Sequence, residues 1–259
     1  MLKNPSIMIA GWGYSAAAMG GLSDALTCDS DVMAVSTHDL ALKGGIERQS
    51  SCVRDLSSSN GLSSYAAGLL ALIREQGGPV TLIGWSMGGM AAMELACRCP
   101  EWVRRLVLVS ATPKFCSAED FAYGIPVGNV RAMMIGLKRD PSKTLAGFYQ
   151  LAAMPLAASP PLIRNMEKLV FEWVEELTAG LIYLINTDLR NSLDHIRVPV
   201  LMLHGREDRV IPWQAADMAS RGLPDGRLCL YDRRGHDLPL RDPAALAVEI
   251  SRFVASTHA

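Results

Sequence analysis

The chain has 259 residues, of which 49% are hydrophobic and 20% charged, a composition typical of a globular protein with one sizeable core and not of a disordered chain. A formal net charge of −1 leaves no overall basic field for nucleic acid, and no apolar stretch approaches the roughly 20 residues of a membrane span. Six irregularly spaced cysteines in a chain of this length indicate reduced thiols in a cytoplasmic protein and exclude a disulfide framework.

Six short apolar runs, taken in chain order, predict the strands of a sheet. They cover residues 6–10, 31–36, 79–84, 105–110, 198–204 and 227–231. Each run is apolar on both faces, as expected of parallel strands covered by helices on each side. Helical patterns follow or separate them at 64–75, 87–97, 213–221 and 243–254. Because strands and helices alternate, the sequence predicts an α/β fold with a doubly wound, mostly parallel sheet of about six strands.

One block, residues 112–194, interrupts this alternation. It contains no good strand candidate, is rich in Met, Leu and Ala, and has prolines at positions 126, 141, 155, 160 and 161. Because the block lies between two strand candidates, we expect it to form a helical lid inserted into a core made of residues 1–111 and 195–259.

The third predicted strand runs into a glycine-rich turn that carries a candidate nucleophile. Gly84-Trp85-Ser86-Met87-Gly88 is a G-x-S-x-G sequence between a strand and a helix, the context that a nucleophilic serine requires. The serine must lie at a strained turn that lifts its hydroxyl above the sheet, and larger side chains at 84 and 88 would collide with the strand and the helix. The following helix N-terminus adds positive potential where an oxyanion would form. A glycine-rich turn with an incidental serine is the alternative.

A serine hydroxyl needs a general base, and His236 is the best-placed histidine. It follows the last predicted strand and the turn Arg233-Arg234-Gly235, so it should reach the carboxyl edge of the sheet, where Ser86 points. The other histidines are expected in packing, loop, solvent-facing or terminal positions: His38, His195, His204 and His258.

The acid that orients the base should lie between the serine and the histidine in the chain. Asp208 follows the fifth predicted strand through Gly205-Arg206-Glu207, and we assign it this role. It should stay ionised and hold the tautomer of His236. Three other carboxylates compete for the position: Glu207, Asp232 and Asp237.

The three candidate catalytic residues belong to three short sequence motifs: Gly84-Trp85-Ser86-Met87-Gly88-Gly89, His204-Gly205-Arg206-Glu207-Asp208 and Gly235-His236. Together they resemble the α/β-hydrolase superfamily over nearly the whole chain. Further runs narrow the resemblance: Gly11-Trp12-Gly13, Trp85 itself, Ala111-Thr112-Pro113-Lys114-Phe115 and Asp188-Leu189-Arg190. With these, the chain is similar to the pimeloyl-(acyl-carrier protein) methyl ester esterases of biotin synthesis. The resemblance implies an α/β-hydrolase fold and a serine carboxylesterase for that methyl ester.

The resemblance also implies further site residues. In that family the oxyanion is held by the backbone N–H after the nucleophile and by that of the tryptophan after the first core strand, which correspond to Met87 and Trp12. Trp85 would line the acyl pocket, and a phenylalanine of the family's lid corresponds to Phe148. Core packing is the alternative for these aromatic side chains. No metal or organic cofactor is expected, and Cys97-Arg98-Cys99 lacks the spacing and the second ligand pair of a metal site.

Two departures from the family pattern concern the start of the chain. Ala10 stands where many relatives have a histidine before the Gly-Trp-Gly turn. That histidine is not catalytic, so we expect the chemistry to survive with an altered loop. The chain also begins almost at the first core strand, which gives about six expected strands where eight are common.

The lid sequence carries a local excess of positive charge. Residues 126–171 contain two acidic residues, Asp140 and Glu167, and six basic ones: Arg131, Lys138, Arg139, Lys143, Arg164 and Lys168. Such a surface would attract an acidic acyl-carrier protein, with Arg131, Arg139 and Arg164 as candidate docking residues. A solvated helical face is the alternative.

Two other functions remain open. The same three catalytic residues could serve a general short-chain esterase or a C–C bond hydrolase. A catalytically inactive member of the fold could bind a small hydrophobic ligand, although ligand binding alone would not require Ser86, Asp208 and His236 together.

Overall fold

The computed structural model describes residues 5–26, 31–45, 61–157 and 174–256. Six strands form one parallel sheet in these parts of the chain: β1 (Ser6–Ile9), β2 (Val32–Val35), β3 (Val80–Trp85), β4 (Val103–Val109), β5 (Val200–Gly205) and β6 (Gly226–Tyr231). Their order is β2-β1-β3-β4-β5-β6, and every neighbouring pair is parallel. The α/β class and the six predicted strands are confirmed.

The centre of the sheet is apolar because helices cover both faces. Every residue of β1, β3 and β5 is buried. Strand β4 begins two residues earlier than predicted, since Val103 pairs with Val80 before an irregularity shifts the register. A sequence pattern that stops at charged residues misses this extension, because Arg104 is exposed but Arg105 is buried within the strand.

Ten α-helices are described: α1 (Gly20–Leu26), α2 (Thr37–Lys43), α3 (Ser64–Glu75), α4 (Met87–Arg98), α5 (Val127–Arg139), α6 (Pro141–Ala153), α7 (Val174–Asn186), α8 (Trp213–Gly222), α9 (Leu238–Arg241) and α10 (Pro243–Ser256). The four predicted helices correspond to α3, α4, α8 and α10. Helix α2 was not predicted, although Ser36 and Asp39 cap it reciprocally. None of the described helices has the length and apolar character needed to cross a membrane.

The strand order creates a switch point between β1 and β3. Strand β1 is flanked by β2 on one side and by β3 on the other, so the loops that leave β1 and β3 diverge at the carboxyl edge of the sheet. In open α/β sheets ligands bind in the crevice at such a point. The Gly-Trp-Gly turn follows β1 and Ser86 follows β3, so both border this crevice.

Helices α5, α6 and α7 lie within the predicted lid, residues 112–194. Helix α5 contacts both α6 and α7. The two ends of this predicted lid segment contact each other through an isolated β-bridge between Lys114 and Asp188, whose side chains also form an ion pair at 2.9 Å. Arg190 forms ion pairs with both Asp188 and Asp120. Burial opposes ionisation of Asp188, but hydrogen bonds from Arg190 and Lys114 outweigh it and lower the pKa of that carboxyl. The outer boundaries of the lid stay a prediction.

The described cysteines are free thiols: Cys97, Cys99, Cys116 and Cys229. Burial raises the pKa of the Cys97 thiol to about 12, which keeps it protonated and unreactive near neutral pH. Cys28 and Cys52 lie outside the described residues.

Candidate active site

Ser86 occupies a strained turn between β3 and α4. Its φ of 54° lies in the left-handed region, which a non-glycine residue adopts only where its surroundings fix it. Its backbone N–H donates to Val109 O at 2.9 Å, which anchors the turn to β4. An added Cβ at Gly84 would lie 2.5 Å from Gly89 Cα, and one at Gly88 would lie 2.6 Å from Ile9 O. The predicted steric need for glycine at both positions is therefore confirmed.

Asp208 and His236 form a buried hydrogen-bonded pair. His236 Nδ1 lies 2.8 Å from Asp208 Oδ2, and neither side chain is accessible to solvent. The other oxygen, Asp208 Oδ1, accepts the backbone N–H groups of Val210 and Ile211, each at 2.8 Å. Burial works against ionisation of Asp208, but the imidazole of His236 and the hydrogen bonds from both neighbouring histidines lower its pKa well below the usual range. Ionised Asp208 requires Nδ1–H on His236, which leaves Nε2 with a free lone pair.

His204 is the second histidine on this carboxylate. Its Nε2 lies 2.8 Å from Ile211 O and 3.3 Å from Asp208 Oδ2, and its side chain is 1% exposed. An N–H at Nε2 therefore donates to the loop carbonyl and faces the carboxylate. The loop-satisfying role expected from the sequence agrees with the Ile211 contact. The contact with Asp208 was missed, although the four-residue spacing from His204 to Asp208 was its signal.

The three competing carboxylates have other partners. Glu207 accepts from the backbone N–H of Arg234 at 3.2 Å, Asp232 pairs with Arg206 at 2.7 Å, and Asp237 pairs with Arg241 at 2.7 Å. The structure thus brings Asp208, and not these rivals, to the imidazole of His236. Of the other histidines, His195 is exposed beside Asp194, and His258 lies outside the described residues.

The loop that carries His236 is attached to the residue beside the nucleophile. The indole Nε1–H of Trp85 donates to His236 O at 2.9 Å, and the two rings are 6.1 Å apart. The backbone N–H of His236 donates to Ala152 O, at the end of α6, at 2.9 Å. Nε2 of His236 is buried, and no described residue forms a hydrogen bond with it. The hydrogen bond expected between Ser86 and His236 is therefore not formed in this structure, and such contacts commonly tighten only when substrate binds.

The two oxyanion candidates belong to segments that lie next to Ser86. Met87 follows the serine and begins α4, while the turn that holds Trp12 approaches so closely that a Cβ at Gly11 would lie 3.2 Å from Ser86 Cβ. Helix α7 packs closely on both candidates at Gly180. A Cβ added to this glycine would lie 2.6 Å from Trp12 Cδ1 and 3.3 Å from Met87 Sδ. The indole of Trp12 also donates to Leu177 O of α7 at 2.8 Å. Lid and oxyanion turn therefore position each other.

An aromatic cluster covers the site from the lid side. Phe148 of α6 meets the Trp12 ring edge-on, with ring centroids 5.0 Å apart, and the Tyr14 ring lies tilted by 37° against Trp85, with centroids 4.2 Å apart. The Tyr149 hydroxyl donates to Gly13 O, which holds α6 on the turn after β1. Trp85 is fully buried, whereas Phe148 is only partly buried. Of the two, Phe148 is therefore the side chain with surface left for a substrate.

A cavity of about 280 Å³ adjoins the oxyanion candidates. Its walls come from the turn after β1, the starts of α2, α3 and α4, and the lid helices α6 and α7. They include Trp12 and Met87 at the candidate site, Leu145 and Leu177 on the lid, and the polar residues His38 and Glu176. This cavity could not be predicted from the sequence, because its walls come from six segments that are distant along the chain.

The structure describes two of the three predicted docking residues. Arg131 and Arg139 are exposed on α5, eight residues apart and thus on adjoining faces of the helix. No ion pair forms between either of them and a described acidic residue. Arg164 lies outside the described residues. In the described ranges, no cluster of three or more His, Cys, Asp or Glu side chains could hold a metal ion.

Comparison with known proteins agrees with this architecture. Residues 7–249 match the Alpha/beta hydrolase family. A pimeloyl-(acyl-carrier protein) methyl ester esterase of Aromatoleum aromaticum is 34% identical over 194 residues, which are 71% of this chain and 77% of the relative. The esterase of the same name from Nitrosomonas europaea is 31% identical over 235 residues, covering 89% of this chain and 87% of the relative. Among solved structures, the esterase EaEST from Exiguobacterium antarcticum superposes with a TM-score of 0.83 at 22% identity, covering 97% of this chain and 92% of its own.

Proposed function

Because the chain belongs to the alpha/beta hydrolase family, we propose that it is a serine carboxylesterase that hydrolyses the methyl ester of a pimeloyl group carried by an acyl-carrier protein, in biotin synthesis. One observation carries the chemical part of this proposal: a buried Asp208–His236 pair whose open Nε2 belongs to a loop held beside Ser86. The relatives of that name support the substrate. Hydrolysis in the cytoplasm is part of the proposal.

The first half of the reaction forms an acyl-enzyme. His236 Nε2 takes the proton of the Ser86 hydroxyl as Oγ attacks the ester carbonyl. The imidazolium that results is stabilised by ionised Asp208, which is held in place by its two backbone N–H bonds. The same imidazolium then gives its proton to the departing methoxide oxygen, so that methanol leaves and the acyl group stays on Ser86.

The second half repeats these proton transfers with water as the nucleophile. Water gives its proton to His236, attacks the acyl-enzyme carbonyl, and releases the acid as Ser86 takes the proton back. In both halves the carbonyl oxygen gains negative charge, and the backbone N–H groups of Trp12 and Met87 donate to it. Each such donor contributes about 3–4 kcal/mol in the transition state. Phe148 contributes apolar surface beside Trp12, whereas Trp85, expected to line the acyl pocket, is fully buried and instead supports the loop of His236.

The carrier protein is proposed to dock on the basic lid. Arg131 and Arg139 offer exposed charges that no described carboxylate neutralises, and Arg164 belongs to the same basic segment. An acidic carrier would be attracted by this surface, with an effect that falls as the ionic strength rises. Charge reversal at the three arginines should therefore reduce kcat/KM for the carrier-bound ester and spare a free short ester. Equal losses on both substrates would remove the docking role.

Complementation of a biotin auxotroph that lacks the esterase step tests the proposed substrate. Growth without biotin on the wild-type chain, and no growth with Ser86→Ala, is the expected result. Activity on short p-nitrophenyl esters without any growth would instead favour a general short-chain esterase. A C–C bond hydrolase would be indicated if neither ester class were cleaved but a vinylogous diketone were.

A further inference from the structure

We propose that the cavity beside Trp12 and Met87 is the acyl-chain subsite, and that Glu176 makes it select chains ending in an uncharged hydrogen-bond donor over chains ending in a carboxylate. This inference rests on the proposed esterase function and adds a specificity-determining residue to it.

The cavity adjoins the reaction centre at the two oxyanion candidates. Trp12 and Met87, whose backbone N–H groups face the carbonyl oxygen in the proposed mechanism, both line it. A carbonyl held between them therefore has one substituent directed into this space. At about 280 Å³ the cavity approaches the lower end of the range for small-molecule sites, and it accommodates an acyl chain of several carbon atoms.

Most of the wall is apolar, which suits a methylene chain. Leu145 of α6 and Leu177 of α7 contribute aliphatic surface, and Tyr65 adds a buried ring. Burial of each methylene group in such surroundings favours binding. The wall thus supplies affinity, and the few polar groups in it decide which chain ends are accepted.

Glu176 is the carboxylate in this wall with unused hydrogen-bonding capacity, and the buried Tyr14 hydroxyl, which also lacks a described partner, is neutral because burial raises its pKa. The Oε2 atom of Glu176 is buried, and no described residue donates a hydrogen bond to it or forms an ion pair with it. The second carboxylate of the wall, Asp39, is already occupied, because its Oδ2 accepts the backbone N–H and the hydroxyl of Ser36 at 2.8 and 2.7 Å. His38 also lines the cavity.

A buried carboxylate oxygen without a donor has two consequences for a ligand. It repels a second carboxylate, since bringing like charges together in a poorly solvated space is strongly unfavourable. It also gains from a neutral donor, such as an amide N–H, because a hydrogen bond to a charged group is stronger than one between neutral groups. An acyl chain that continues into a carrier-bound arm with amide N–H groups can therefore donate to Glu176. The free half-ester of a dicarboxylic acid ends in a carboxylate and is repelled by it.

Matched methyl esters test this selection without any carrier protein. The substrates share one chain length and differ only at the far end, which is a carboxylate, a primary amide or a methyl group. The readout is the ratio of kcat/KM for the amide to kcat/KM for the carboxylate, at chain lengths from four to eight carbon atoms. The variant is Glu176→Gln, and the matched control is Glu175→Gln, because Glu175 is its exposed neighbour on α7 and does not line the cavity.

The wild-type ratio should be about tenfold or more, and Glu176→Gln should bring it close to one, mainly by raising kcat/KM for the carboxylate. Glu175→Gln should leave the wild-type ratio unchanged. A ratio unaffected by Glu176→Gln in a variant with normal circular dichroism would overturn the proposal, and so would an equal effect of Glu175→Gln. A preserved preference among these esters in a protein that fails to cleave the carrier-bound ester would support the subsite and reject the carrier assignment.

Discussion

Substitution of Gly180 by alanine is the sharpest steric test of the contact between lid and oxyanion turn. The new Cβ would lie 2.6 Å from Trp12 Cδ1, 3.1 Å from Trp12 Nε1 and 3.3 Å from Met87 Sδ. Non-bonded carbon atoms prefer about 3.5–4.0 Å, so α7 or the Trp12 turn must move by about 1 Å. Because Trp12 Nε1 is also bonded to Leu177 O of α7, movement of the helix pulls on the same turn.

The expected effects differ for activity and for stability. A misplacement of about 1 Å in groups that position the reaction lowers kcat/KM by about 100-fold. Overpacking costs about 1–3 kcal/mol, and the better helix propensity of alanine offsets about 0.5–1 kcal/mol of it. The free energy of unfolding should therefore fall by only about 1–2 kcal/mol. Activity should suffer far more than stability.

Gly147→Ala provides the matched control. Gly147 lies within lid helix α6, and a Cβ added there meets no atom within 4 Å. This variant should keep its activity and gain about 0.5–1 kcal/mol in stability. Hydrolysis of a short p-nitrophenyl ester and urea denaturation measure the two quantities. If Gly180→Ala were as active and as stable as Gly147→Ala, the proposed coupling of α7 to the oxyanion turn would be refuted.

Three further predictions concern buried polar groups. Because the pKa of Asp208 is lowered in the folded state, its carboxylate stabilises the fold above the ordinary pKa of aspartate, and this stabilisation is lost as the pH falls through the folded-state pKa. Asp208→Asn should therefore show a flatter decline of Tm below about pH 4 than the wild type, and its kcat should fall by a factor of about 10⁴. A parallel decline of Tm in both proteins would contradict this. Glu94→Ala should lower the free energy of unfolding, measured in urea, by about 2–4 kcal/mol, because Ser63 and Tyr183 lose their hydrogen-bond acceptor. Glu94→Gln should lower it by less, and equal losses of stability in the two variants would mean that these hydrogen bonds do not contribute to stability. His204→Phe should lower kcat/KM about tenfold or more by removing a donor from Asp208, and unchanged activity would show that His204 only satisfies its loop.

The sheet could be predicted from the sequence because its signals are local. Parallel strands buried on both faces are continuous apolar runs, and the burial of β3 and β5 along their whole length is the physical counterpart of those runs. The turn around Ser86 could be predicted for a similar reason, since the close contacts of Gly84 and Gly88 leave room for no other residue. Chain order then placed Asp208 and His236 on neighbouring loops.

What the sequence did not reveal depends on contacts between distant segments. Glu94 on α4 accepts hydrogen bonds from Ser63 before α3 and from Tyr183 on α7, and no local pattern links these three positions. The approach of Gly180 to Trp12 has the same origin. Helix α2 was missed for a different reason: it has only seven residues, too few for a periodic pattern, and its aspartate in the capping box replaces the usual Glu or Gln.

Covalent labelling by a fluorophosphonate tests most directly whether Ser86, His236 and Asp208 act as one relay. The wild-type chain should gain a single adduct in intact mass, located on Ser86 by peptide sequencing, and Ser86→Ala should gain none. His236→Ala should be labelled at a rate lower by several orders of magnitude, because the hydroxyl then lacks its base. An unlabelled wild type, an adduct on another residue, or labelling of His236→Ala at the wild-type rate would contradict the account.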